Sequence, residues 1–177
     1  MFFKFIEPCH PQRATTVPTG DDWQHEIKFD VFRVQIHKSE CDVVLFSRNG
    51  RHFGKRYPQL AGAFRGLPGK SAILDGELVA SDAAGMPDFW RLFLRSPEPA
   101  QLRIWAFDLL AHNGKDRRKW SLEARQSRLQ GLLSRFGCPL VLASESFADG
   151  EALLRVVEKH GLEGVVGKRR DAPYNAV

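Results

Sequence analysis

The stretch HEIKFDVFRV, His25 to Val34, sets Glu26, Lys28 and Asp30 at every second position, with Arg33 just beyond. A strand has a side-chain period of two, so these three charges share one face and Ile27, Phe29 and Val31 take the other. Beyond them, Phe32, Val34 and Ile36 continue the charged face with apolar residues. A single regular strand does not accommodate both halves. Either it is buried on both sides, or the chain twists or breaks near residues 30 to 32.

Around this stretch the chain reads as strands and helices in alternation. HEIKFDVFRVQIHK and DVVLFSR have the Val, Ile and Phe content of strands, with a hairpin at Ser39–Cys41. Asn49-Gly50 and Asn113-Gly114 are strong turn signals. SAILDGELVAS is a strand interrupted by Asp75-Gly76, which could be a bulge. QLRIWAFDLLAHNGKD is a strand ending in a turn, PLVLASE a short strand, and LEGVVGKRR a strand near the C-terminus. Helices are expected over YPQLAGAFRGL, PDFWRLFLR, SLEARQSRLQGLLSRF and DGEALLRVVEKHG. In the third, Ser121 is the N-cap and Leu122, Leu129, Leu132 and Leu133 line a stripe. In the fourth, Gly161 is the C-cap. Residues 1–22, with Pro8, Pro11, Pro18 and Gly20, read as an extended arm on the surface of one domain spanning 23–177. The expected class is α+β with largely antiparallel sheets.

Composition sets bounds. The 177 residues include thirteen Phe and four Trp, enough for a substantial core. Lys plus Arg exceed Asp plus Glu by 26 to 21, a net charge of +5 that permits a polyanionic partner without demanding one. Cys9, Cys41 and Cys138 form no CxxC pair, which argues against zinc and for a reducing cytoplasm. No apolar run reaches membrane length, so no membrane association is expected.

Four polar groupings interrupt the apolar strands: Glu26/Lys28/Asp30/Arg33, Ser47-Arg48-Asn49-Gly50, Asp75-Gly76-Glu77, and Glu163-Gly164 followed by Lys168. Each alone has an ordinary structural explanation, as ion pair, turn, bulge or helix-to-strand junction. In order, KFDVFR, SRNG, LDGELV, AFDLL and EGVVGK resemble the boxes of the covalent nucleotidyltransferases, the superfamily of ATP-dependent DNA ligases, RNA ligases and mRNA capping enzymes. DWQHEIKFD, FDLL and LEGVVGKRRDAPY look most like the adenylation domain of bacterial ATP-dependent DNA ligases, and the likeness covers Trp23 to Tyr174.

The resemblance implies an ATP-grasp-like fold with two mainly antiparallel sheets flanked by helices and ATP held between them. The lysine box would end a strand beneath the nucleotide, where the chain turns. Lys28 would be the nucleophile that takes AMP from ATP, with AMP passing on to a DNA 5′-phosphate and the nick being sealed in repair or recombination. Glu26 would lie beside the adenine and Phe107 would stack on it. Arg33 and Arg48 would grip phosphate or ribose, Asp30 completes the nucleotide set, and Lys168 would reach the α-phosphate. Glu77 and Glu163 would hold Mg²⁺ or Mn²⁺. A lysine amine titrates near about 10.4 and is a nucleophile only when neutral, so a lysine among carboxylates makes chemical sense with a divalent cation nearby.

The sequence departs from the pattern at two places. Val31 stands where the family has Gly, which would strain the backbone by roughly 1–3 kcal/mol if a positive φ is required, or crowd the nucleotide. The chain also reaches Val177 before the family's last lysine box and OB-fold domain, so impaired activity is one expectation, and a partner could supply the missing part. The expected partners are nicked or broken DNA, met by a cytoplasmic monomer. The alternatives are a non-catalytic ATP- or AMP-binding remnant and an RNA-end adenylyltransferase.

Overall fold

The computed structural model describes residues 4–29, 31–81 and 102–175. Asp30 and the helix expected over PDFWRLFLR lie outside the described residues. The opening stretch divides between two sheets. Strand β1 (Trp23–Lys28) ends at the lysine, and β2 (Arg33–Ser39) begins at the arginine. β1 pairs antiparallel with β8 (Gly164–Arg169) in a two-stranded sheet. β2 belongs to a second sheet, ordered β3 (Asp42–Ser47), β2, β4 (Ser71–Ala80), β5 (Leu102–His112) and β6 (Lys115–Asp116). HEIKFDVFRVQIHK is therefore two strands, broken within residues 29–32. The break lets Glu26 and Lys28 serve one sheet while Val34 and Ile36 enter the core of the other.

Among the described residues, all strand pairings are antiparallel except that of β7 (Val141–Ala143), which runs parallel to β5. Helix α1 (Pro58–Phe64) packs beside β3, and α2 (Leu122–Phe136) lies against β5 and β7. Helix α3 (Gly150–Lys159) backs the small sheet. Ser121 caps α2, as its spacing predicts, by accepting from Ala124 N. Asp149 caps α3 in the same way, at 2.8 Å from Ala152 N. α3 ends one residue earlier than expected. His160 is its cap, and Gly161 follows at φ +66, where a side chain would be strained.

The large sheet separates its two faces by chemistry. Val34, Ile36, Leu45, Leu74, Leu78 and Ile104 join Leu60 and Phe64 of α1 and Leu129 and Leu132 of α2 in the main core. Val31 is half-buried and packs against this cluster together with Phe32. The opposite face of β2 presents Arg33, Gln35 and His37, which stand opposite Glu77, Asp75 and Ile73 of β4. A small second cluster forms there from Ile73, Leu110, Ala111 and Tyr174. The N-terminal arm covers it with Ile6 and Cys9. Gln35 imitates a neighbouring strand, because its amide accepts from Ile6 N at 3.1 Å and donates to Ile6 O at 3.0 Å.

Two irregularities of register shape the β4–β5 ladder. Asp75 faces Asp108 and Gly76 faces Ala106, so Phe107 is an extra residue opposite no partner. Asp75-Gly76 is thus a bulge site on an unbroken strand rather than a break. A β-carbon at Gly76 would lie 2.7 Å from the Trp105 carbonyl oxygen and 3.1 Å from the Ala106 Cα, closer than the two backbones could tolerate.

Candidate active site

β1 sends Gln24, Glu26 and Lys28 to one face by simple alternation. In the antiparallel register Gln24 faces Lys168 and Lys28 faces Gly164. Glu26 and Lys168 are then diagonal neighbours, within reach of long side chains. Their ion pair closes at 2.7 Å, with Glu26 buried and Lys168 partly open. Lys28 pairs with Glu163, the residue just before β8, and keeps 28% of its side chain exposed.

Glu26 is a hub. It accepts from Lys168, from Gln126 Nε2 at 2.7 Å and from Gln24 Nε2 at 3.4 Å. Gln126, on α2, also donates to the Phe107 carbonyl at 3.0 Å, an acceptor the bulge has freed from the ladder. Lys168 Nζ lies 4.5 Å from the centroid of the Phe107 ring and the Arg33 guanidinium 5.3 Å from it. Phe107 therefore stands between the cation of the small sheet and the cation of the large one.

Arg33 is held by three hydrogen bonds. It forms a fork with Asp75 at 3.2 and 2.8 Å and donates to the Cys9 carbonyl of the arm at 2.6 Å. Tyr174 donates its hydroxyl to the same Asp75 at 2.6 Å. Burial would weaken the Arg33 guanidinium's hold on its proton, but the Asp75 carboxylate outweighs it and holds the group above its ordinary value. Burial and then Asp75 push the Tyr174 hydroxyl up. Asp108, next to Phe107, is buried against Arg125 of α2 through contacts of 2.7 and 2.9 Å.

Among the expected site residues, Glu26, Lys28, Arg33, Phe107, Lys168 and Glu163 are joined by these contacts or adjoin them. Glu77 stands opposite Arg33 on the same wall. Arg48 is exposed and donates to His10 of the arm at 3.0 Å, and the hydrogen bonds around Phe107 do not extend to it. Sequence reasoning did not assign Gln24, Gln126, Asp75, Tyr174 or the Asp108–Arg125 pair to the site. One signal was available: Arg125 and Gln126 interrupt the apolar stripe of α2 with polar groups at its inner edge. The Cys9 carbonyl had none, because any residue type supplies a carbonyl.

Among the described residues, no group of three or more His, Cys, Asp or Glu side chains stands close enough to form a metal cage. This donor set still suits Mg²⁺, which is held by one or two carboxylates with waters and phosphate oxygens completing its shell. Glu77 lies on β4 of the large sheet and Glu163 just before β8 of the small one.

A sequence profile described as the ATP dependent DNA ligase domain matches residues 9–177. The chain belongs to the ATP-dependent DNA ligase domain family. It is 37% identical over 171 residues to the multifunctional non-homologous end joining protein LigD of Pseudomonas aeruginosa, covering 94% of this chain and 20% of that protein. It is 33% identical over 184 residues to DNA ligase C1 of Mycolicibacterium smegmatis, covering 96% of this chain and 53% of the relative. A solved structure of a mycobacterial DNA ligase D complexed with ATP and MES superposes with a TM-score of 0.87 at 30% identity, over 98% of this chain and 58% of that one. The ligase-family chain thus spans about a fifth of LigD and about half of ligase C1. These likenesses agree with the α+β nucleotidyltransferase fold expected from its boxes. Among the described residues, no helix is long and apolar enough to cross a membrane.

Proposed function

We propose that this chain carries out the nucleotide-charging step of an ATP-dependent DNA ligase, with Lys28 as the nucleophile. The observation that carries this reading is the linking of Glu26, Lys168, Phe107 and Arg33 across the two sheets, with Lys28 two residues beyond Glu26 on the same face of β1. The solved relative complexed with ATP supports the choice of nucleotide.

An ion-paired ammonium has no lone pair, so Lys28 must separate from Glu163 and lose a proton to water before it can attack. Its Nζ then forms a bond to the α-phosphorus of ATP while the bond from that phosphorus to the bridging oxygen breaks. Pyrophosphate leaves with the electron pair, the nitrogen releases its second proton to water, and AMP remains on the lysine as a phosphoramide. Phe107 offers its ring to the adenine. Glu26, locked by Gln24, Gln126 and Lys168, fixes the edge of the base pocket. Lys168 and Arg33 bring positive charge to the phosphates and ribose. Glu77 and Glu163 would hold Mg²⁺ or Mn²⁺, which would supply charge neutralisation on the phosphates.

In the rest of the cycle, the 5′-phosphate of a DNA break takes AMP from Lys28, and the 3′-hydroxyl then displaces AMP and seals the strand. Repair of DNA breaks is the process this fits, given the end-joining relatives.

Intact mass after incubation with ATP and Mg²⁺ tests the first step. The wild-type chain should gain the mass of one AMP, and Lys28→Ala should fold alike and gain nothing. An adduct retained by the variant would remove Lys28 from the role. No adduct on a folded wild-type chain would favour a domain that binds nucleotide without reacting.

A further inference from the structure

The β5–β6 hairpin and the residues after it read KDRRKW, Lys115 to Trp120. Lys115, Lys119 and Trp120 are exposed, and so is Arg128 on α2. The acid within this run is already used, since Asp116 is bound by Arg118 through contacts of 2.6 and 3.1 Å. Glu123, in the first turn of α2, is exposed near Arg170. Positive charge is therefore in excess on this surface.

Arg117 departs from an ordinary solvated charge. It is only 6% exposed, yet its Nε and Nη1 have no hydrogen-bond partner among the described residues. Its guanidinium lies 4.3 Å from the centroid of the Trp120 ring, and Trp120 is 39% exposed. Burial, and then the neighbouring positive Arg128, hold Arg117 below the usual guanidinium range. An unpaired buried cation costs stability, and an apolar residue of similar size would cost less. A phosphate at the surface beside Arg117 would offset that penalty through its negative charge.

We propose that Arg117, Lys119, Trp120 and Arg128 form a binding site for the phosphate backbone of duplex DNA, separate from the nucleotide pocket. The choice of duplex DNA rests on the proposed ligase function. The chemistry selects phosphate over an apolar protein surface. The other exposed large apolar side chains among the described residues, Leu142, Phe147 and Val156, sit on β7, on the loop before α3 and on α3, and the face of the Trp120 ring carries the Arg117 guanidinium. The site is also tied to the pocket. The Trp120 carbonyl accepts from Arg125, which holds Asp108 beside Phe107, and the Arg118 carbonyl accepts from Tyr174 N at 2.7 Å. A phosphate held here is therefore two contacts away from the Phe107 wall.

The experiment is fluorescence anisotropy of a labelled nicked duplex with the full chain, without ATP or metal, from about 50 to about 200 mM salt. Wild type should bind, with affinity falling as salt rises. Lys119→Ala/Arg128→Ala removes two phosphate contacts and should flatten the log–log salt slope by about 1.8, so the same salt increase weakens wild type about 12-fold more than the variant. Arg117→Leu should bind DNA more weakly while its melting temperature stays level or rises. That pairing separates a ligand-facing cation from a structural one. AMP adduct formation should be unchanged in all these variants, and its failure in every chain would speak to the nucleotide pocket alone. Absence of duplex binding by wild type at about 50 mM salt, or an unchanged slope in the double variant, would overturn the proposal and leave the patch to an acidic protein partner. A lowered melting temperature for Arg117→Leu with unaltered DNA affinity would overturn the role of Arg117.

Discussion

Replacing Arg125 with Met should be among the most damaging single changes to this chain, although Arg125 belongs to none of the boxes that carry the family resemblance. The guanidinium forks onto Asp108 at 2.7 and 2.9 Å, with both side chains buried. It also donates to the carbonyls of Trp120 and Ala172, the latter at 3.0 Å. Met fills much of the volume but leaves the Asp108 carboxylate buried without its cation. Breaking one side of a buried pair costs about 3–5 kcal/mol. For a chain of this size that is a fall of roughly 6 to 20 °C in melting temperature. Burial already pushes the Asp108 carboxyl up against the pull of Arg125. Without Arg125 the folded state would bind a proton there more readily than the unfolded state does. The variant's deficit relative to wild type should therefore shrink as pH falls, and be smaller at pH near 5 than near 8. Urea unfolding followed by tryptophan fluorescence measures this. Asp108→Leu/Arg125→Met, which leaves neither charge buried, should recover to within about 1 kcal/mol of wild type. A loss below about 1 kcal/mol in the single variant, or a double variant worse than the single, would refute the reasoning.

Three other outcomes follow from the same geometry. Gly76→Ala should cost about 1–3 kcal/mol and weaken ATP binding, because the new methyl meets the β5 backbone between Asp75 and Glu77; a melting curve and a nucleotide titration read both. Tyr174→Phe should cost about 1 kcal/mol and lower ATP affinity, since Asp75 then orients Arg33 with one partner fewer; unaltered affinity would detach Tyr174 from the site. The third concerns acid. Desolvation pushes buried His37 down to about 4, with Asp75 opposing and His52 adding to the effect. The unfolded chain takes up that proton near about 6.5, so the contribution is whole above that pH. It is lost toward pH 4, at about 1.4 kcal/mol per pH unit and about 3 kcal/mol in all. His37→Leu should show a shallower acid slope in urea midpoints.

Sequence carried the local decisions well. Asn113 and Gly114 adopt the positive φ values that their dipeptide promises, and Ser121 caps the helix that its spacing predicts. Glu26 and Lys28 share a face because alternation along one strand requires it. What lay out of reach depended on register between distant strands. Asp75 anchors Arg33 only because β2 and β4 pair with Gln35 opposite Asp75 and Glu77 opposite Arg33. Gln126 reaches Glu26 only because α2 crosses β5 at the bulge. The clash in HEIKFDVFRV between a charged half and an apolar half did signal a break. Alternation alone could not say that each half joins a different sheet.

The extra residue in β5 has a wider consequence. Phe107 carries a proposed base contact, yet no residue of β4 pairs opposite it. Its side chain is thus outside the repeating pattern that holds the sheet together, and its carbonyl is looked after by Gln126. A change there should alter the proposed base contact without unzipping its neighbours. Natural variation could explore nucleotide choice at this position at low risk to folding, whereas the flanking Ala106 and Asp108, locked in place on either side, leave almost no such freedom.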